Sequence, residues 1–211
     1  MNRTFLTILA AAVLAGCASK PQPPAWQQDA HGALEGFTDA WLHGDSAAAE
    51  ADFARARRAA ADTGRFDQVA QVELVRCAAH VAALDYACPG FAALASDATA
   101  AQRAYAAYLD GRWSGLDAAS LPAQHRPVVA GAGIAGVADP LGLLVAAGAL
   151  LKAGRLTPAD IGAAVETASN QGWRRPLLAW LGVQERRAQD AGDTAAAAAV
   201  RRRIELVGQD R

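Results

Sequence analysis

The sequence predicts an all-α protein built from antiparallel helical hairpins. Three observations point there. Hydrophobic residues make up 53% of the chain while aromatics reach only 6%, and alanine recurs throughout, a composition suited to closely packed helices rather than to a sheet rich in β-branched and aromatic side chains. From Ala25 onward, apolar residues recur at three- and four-residue steps, the period of one helix face. Prolines fall where a first helical turn accepts them and glycines where a helix end favours a left-handed residue.

The front end is of another kind. Asn2 and Arg3 precede an apolar run from Phe5 to Ala15, which reads as a secretory signal over residues 1–16. The run is shorter than the roughly 20 apolar residues of a spanning helix. Leu14-Ala15-Gly16-Cys17 resembles the lipobox of bacterial lipoproteins. That resemblance implies cleavage after Gly16, with Cys17 as an acylated, palmitate-bearing first residue. The alternative is an ordinary signal peptide or anchor helix with a chance cysteine. One acyl chain binds a bilayer only reversibly, so stable anchoring needs a multiply acylated cysteine. In the family's sorting pattern an Asp after the cysteine retains the protein in the inner membrane. Ala18 in its place implies the outer membrane, facing the periplasm.

Cleavage leaves 195 of the 211 residues and removes Arg3 alone from the 20 basic residues, so the net charge moves from -1 to -2. Nucleic acid is not an expected partner of such a chain. With Cys17 lipidated, Cys77 and Cys88 are an even pair in an oxidising compartment, and a disulfide between them is the natural reading. On one continuous helix they would stand about 16 Å apart, too far to bridge. The helix must therefore end between them, at Asp85, Pro89 and Gly90. Two separately buried thiols are the alternative.

Taken in order, residues 17–24 carry Pro21, Pro23 and Pro24 and form a stiff, extended tether. Residues 25–211 form the helical domain. Trp26 to Leu42 is its first helix, with Ala30, Leu34, Phe37 and Trp41 on one face. Asp45 or Ser46 caps a second helix, carrying Ala49, Phe53 and Ala56. A third runs from Phe66 to Leu84, and Asp97 is the expected cap of a fourth over Ala98 to Leu109. Gly111 to Pro127 is the least regular stretch. Four further helices are expected near residues 140–153, 158–171, 176–191 and 194–207, joined by short loops that make antiparallel neighbours. Gly64-Arg65-Phe66-Asp67, Gly111-Arg112-Trp113-Ser114 and Gly154-Arg155-Leu156-Thr157 share one spelling, which is either a repeated unit or reused turn chemistry.

Gly44-Asp45 followed by Ala49, Phe53 and Ala56 resembles the turn and second helix of a tetratricopeptide repeat. Ala61 stands where that pattern has its terminal proline, and the copy at Gly192 keeps Ala197 but places Arg201 at the aromatic position. The resemblance implies a stacked helical hairpin that binds proteins or peptides.

Few constellations in the chain invite chemistry. Gly131-Ala132-Gly133-Ile134-Ala135-Gly136 has the spelling of a dinucleotide fingerprint, but Asp139-Pro140 interrupts the following helix and no acidic residue stands at the ribose position. Val128 to Leu151 is apolar except for Asp139, whose central charge favours two short buried helices over a membrane span. Cys77, His80 and Cys88 provide three metal ligands without a fourth. His31 and Glu35 share a helix face as a solvated pair. No catalytic residue, metal or cofactor is assigned.

The best surface is Trp173-Arg174-Arg175, with Trp180 on the same helix and Arg186 and Arg187 extending its basic side, since Trp and Arg dominate interface energetics. Trp180 also lies among Leu177, Leu178 and Leu181, a core pattern. The expected function is a lipid-anchored periplasmic module that binds or scaffolds envelope proteins. Its rivals are an enzyme or accessory acting on peptidoglycan or envelope lipid, and a binder of small apolar ligands around Gly131 to Gly148.

Overall fold

Side-chain caps set where the helices begin. Asp45, Asp139, Thr157 and Asp193 each accept the backbone N–H three residues on, satisfying donors that a helix start leaves orphaned. The computed structural model describes residues 22–209. The leader, Cys17, most of the tether and the last two residues of the helical domain lie outside them.

The helices are α1 (Ala25–His43), α2 (Ser46–Ala61), α3 (Phe66–Ala82), α4 (Pro89–Ala92), α5 (Ala100–Leu109), α6 (Arg126–Val129), α7 (Pro140–Lys152), α8 (Pro158–Asn170), α9 (Arg174–Asp190) and α10 (Thr194–Gly208). Single 3-10 turns at Ala118–Ser120 and Ala123–His125 precede α6, and there is no strand among the described residues. Three expected starts or spans move. α5 begins behind Thr99, not Asp97, because Thr99 and Gln102 exchange bonds as a capping box. α9 opens at Arg174, which puts Pro176 at its third residue, where the missing N–H is still one of the orphans. The apolar stretch after Val128 yields one four-residue helix and one buried helix, α7. Between them Gly131 and Gly133 adopt φ 98° and 67°, so the fingerprint spelling belongs to a turn.

α1 and α2 form a hairpin in which Ala33, Phe37 and Trp41 meet Ala49, Phe53, Ala56 and Ala60. The ring centroids of Phe37 and Phe53 lie 5.5 Å apart, a separation at which tilted aromatics attract. α3 is the shared wall. Val69, Val72 and Ala79 complete this first core, while Ala70, Leu74, Cys77, Ala78 and Val81 face the larger one formed with α5 and α7. α7 is buried almost throughout. Its Gly148 sits where a Cβ would collide with the carbonyl oxygen of Val81, so the missing side chain is what lets α3 and α7 touch.

α8, α9 and α10 come next as antiparallel neighbours. Trp180 is fully buried and its Nε1 donates to the Ala82 carbonyl at 3.1 Å. Of the two roles its neighbours suggested, it takes the core. α9 also returns to touch α1, which closes the chain into a bundle.

α3 ends at Ala82, before Asp85. Leu84 turns the chain with a left-handed φ of 64°, and the Asp85 N–H donates to the His80 carbonyl at 3.0 Å. The returning loop brings Cys88 to Cys77 as a disulfide with Cα atoms 5.5 Å apart. The three Gly-Arg spellings share the left-handed glycine, at φ 66°, 69° and 69°. The elements they lead into differ. Thr157 caps α8 with its side chain, Arg65 precedes α3 without a cap bond, and the next element after Gly111 is the 3-10 turn at Ala118.

Candidate functional site

Trp173, Arg174 and Arg175 open α9 at the junction of α1, α9 and α10. The Arg175 guanidinium lies 3.8 Å from the centre of the Trp41 ring, while its Nε donates to the Trp41 carbonyl at 2.7 Å and its Nη2 to Ser46 Oγ at 2.8 Å. His80 stacks on Trp41 with centroids 3.7 Å apart and planes 10° from parallel. Both separations are single contact distances, so Arg175 and His80 occupy opposite faces of the indole. Trp41 Nε1 donates to the Ala79 carbonyl at 3.1 Å, and His80 Nδ1 meets Asp85 Oδ2 at 2.8 Å.

Burial lowers the pKa of His80 against the pull of Asp85. It lowers that of Arg175 as well. Asp85 is also held below its ordinary value: burial pushes it up, but the Ala87 N–H and His80 outweigh that. Arg174 donates to the Val207 and Gly208 carbonyls at 3.0 and 3.3 Å, closing the end of α10, where a cation also suits the helix dipole. Trp173 is half-buried against both cores. The three residues are therefore fasteners of this junction. Charge reversal at Arg174 and Arg175 would loosen the fold before it tested recognition.

The other residues singled out separate. Cys77 and Cys88 are bonded to each other, which removes them as thiolate ligands beside His80. His31 and Glu35 form an exposed pair at 3.3 Å. Arg201, at the repeat pattern's aromatic position, pairs with Glu185 of α9 at 2.7 Å.

A cleft that sequence reasoning missed lies between α3, α5 and the start of α7. It has a volume of about 410 Å³ and is lined by Tyr105, Gln124, His125 and Asp139 above apolar Leu74 and Val145. His125 is 1% exposed, and its Nδ1 lies 3.2 Å from the Tyr108 hydroxyl. Burial pushes the imidazole down to about 4 and holds the Tyr105 and Tyr108 hydroxyls above their ordinary range. A general acid or base works best near the operating pH, and these groups are displaced from neutrality in opposite directions. Their evident work is to lock residues 118–129 onto α5. The available signal was Pro122 and Pro127 bracketing one histidine in an irregular stretch, which promises a fixed turn but no partner.

A groove of about 520 Å³ runs between α9 and the segment from the end of α7 into α8. Its floor is Leu151, Leu156, Ile161 and Val183, and Arg186, Arg187 and Asp190 line its rim. Neither arginine side chain has an ion-pair or hydrogen-bond partner among the described residues. Gly182 of α9 lies in the wall with nothing within 4 Å of where its Cβ would stand, so the groove is open there. Sequence reading grouped Arg186 and Arg187 with Trp173, Arg174 and Arg175, whereas in the fold they line a groove with Leu151, Leu156 and Ile161.

Residues 1–18 match the family model of the prokaryotic membrane lipoprotein lipid attachment site, a stretch that includes Cys17. That match supports a bacterial lipoprotein held to a membrane of the cell envelope through its lipid. No curated protein and no solved structure matches the chain.

Proposed function

We propose that this lipoprotein is a binding or scaffolding module that holds a partner polypeptide at the membrane. Cys17 carries the lipid, the membrane is the outer one, and the domain faces the periplasm on the short tether of residues 17–24. The observation that carries the reading is the groove beside α9. Its apolar floor suits the hydrophobic face of a partner segment, and the two unpartnered arginines on its rim favour acidic groups flanking that face. Charged rims steer encounter and set specificity, while the desolvated apolar centre supplies most of the affinity. Within the bundle, the α1–α2 hairpin supports a tetratricopeptide-like unit, through Ala49, Phe53 and Ala56 nested against α1.

The test is crosslinking in intact cells followed by co-purification. It compares the wild-type protein with Gly182→Leu, which enters the groove at a position whose added Cβ has nothing within 4 Å, with Arg186→Glu/Arg187→Glu, and with Cys17→Ala behind a cleavable soluble signal. A partner captured by the wild type and lost from both groove variants is the expected result. Equal capture by the groove variants would move the binding surface elsewhere. Equal capture by the Cys17→Ala form would show that anchoring is not needed for it.

A further inference from the structure

A second concavity, apart from the α9 groove, lies behind the Cys77–Cys88 bridge. α3, α4 and α5 enclose about 350 Å³ there, and the space exists because the facing residues Ala92, Ala95 and Ala106 are too short to fill it. Phe91, Val81 and Leu109 complete an apolar wall with the disulfide. The Tyr86 hydroxyl is directed away, donating to the Gly148 carbonyl at 3.0 Å. Polar side chains enter the lining only at Asp110 and Arg112, joined at 2.7 Å, with Arg112 still 68% exposed.

The turn carrying this pair is pressed against the end of α7. Gly111 adopts φ 69°, and a Cβ there would come within 2.7 Å of the Lys152–Ala153 backbone. Lys152 does not itself line the cavity but stands next to two residues that border it: it packs against Gly111, between Asp110 and Arg112, and its Nζ lies 4.8 Å from the centre of the Tyr86 ring. One cation and one carboxylate therefore line the mouth of a hydrocarbon-lined cavity, with a second cation within reach beside Tyr86. Ligand sites of this size join an apolar lining to a few placed polar groups. If each heavy atom takes about the 30 Å³ share of a liquid water, the cavity holds roughly ten to twelve atoms.

We propose that this cavity binds a single-chain anionic amphiphile: an alkyl chain of about eight to ten carbons lies between Ala92, Ala106 and Phe91, and its carboxylate meets Arg112 and Lys152. The net positive rim selects the head group, and the alanines set the chain length. The disulfide holds α4 against α3 as one wall.

Isothermal titration of decanoate into the mature chain carrying Cys17→Ala tests this, with decyltrimethylammonium as the cationic counterpart. One saturable decanoate site is expected, with the cationic amphiphile at least tenfold weaker. Ala106→Trp should abolish binding, and so should Ala92→Phe, which fills the cavity from the shorter wall and serves if the first variant fails to fold. Arg112→Glu should weaken decanoate at least tenfold with the circular dichroism unchanged. Equal binding of both amphiphiles, undiminished binding in the filled variants, or no saturable decanoate binding would overturn the proposal. Displacement of decanoate by submicellar lysophosphatidylglycerol would identify a single-chain membrane lipid as the natural source, and its persistence a free carboxylate. The α9 groove variants should bind decanoate normally, so failure here and failure of the docking reading are separable.

Discussion

Two glycines in helix interiors should respond to alanine in opposite directions. Gly182 of α9 has nothing within 4 Å of its added Cβ, so Gly182→Ala acts through the backbone alone. Alanine is the better helix former by roughly 0.5 to 1 kcal/mol at such a site, and the variant should gain about that much. Gly148 of α7 gains the same propensity, but its Cβ is driven into the Val81 carbonyl oxygen and carbon of α3. That obstacle is backbone in the central helix and cannot rotate away. Overpacking of this kind costs about 1 to 3 kcal/mol. Separating α3 from α7 would also disturb the bond from Tyr86 to the Gly148 carbonyl. The net should be a loss of roughly 1 to 2 kcal/mol, leaving the two variants about 1.5 to 3 kcal/mol apart. Urea unfolding of the mature chain carrying Cys17→Ala, with the disulfide intact and far-ultraviolet circular dichroism as the signal, resolves a difference of that size. A Gly148→Ala variant as stable as the wild type would refute the claim that the α3–α7 contact requires a missing side chain.

The remaining predictions concern pH, the disulfide and the α9 junction. His125 is held down to about 4 when folded, against 6.5 for the free side chain. The unfolded chain therefore takes up a proton that the folded one refuses, and stability, complete above pH 6.5, should fall by up to about 3 kcal/mol as the pH drops towards 4. His80 acts in the same direction, so His125→Phe should flatten the pH profile of urea midpoints only in part; an unchanged slope would release His125 from this role. Reducing the Cys77–Cys88 bond, which closes a loop of 11 residues, should cost about 3 kcal/mol, and denatured, unreduced protein should show no reactive thiol at either position. Arg175→Lys should not restore what Arg175→Met loses, because lysine has neither the planar fork nor the stacking surface. A double-mutant cycle with Trp41→Leu should return a coupling of about 1 kcal/mol, and zero coupling would remove the stack from the forces holding α9 to α1.

Much of the architecture comes from residues close together in the chain. The helical class, the caps at Asp45, Asp139 and Thr157, and the glycine ends depend on hydrogen bonds spanning three to five residues, which the local spelling decides. The Cys77–Cys88 pairing is nearly local too, since it needs only a helix that stops and a loop that returns. Asp97 misled because two capping residues stand two positions apart, and only the reciprocal bond from Gln102 selects Thr99. The lipid anchor was readable because the machinery that processes a leader reads linear sequence, and residues 1–18 carry that signal.

Tertiary structure alone decided what the exposed-looking polar residues do. Arg175 reads as a surface cation until α9 is laid across the turn between α1 and α2, where it meets a carbonyl 134 positions away. His125 gains its burial from α5 and α7, and the glycine that matters for close packing is Gly148 rather than the run at Gly131 to Gly136. The α9 groove and the cavity behind the disulfide are spaces between elements, produced by alanines and glycines that look alike in the sequence wherever they occur. A period of 3.6 residues says which face of a helix is apolar, but which partner that face meets is set by the docking of whole hairpins, an outcome of many weak contacts distributed over the chain.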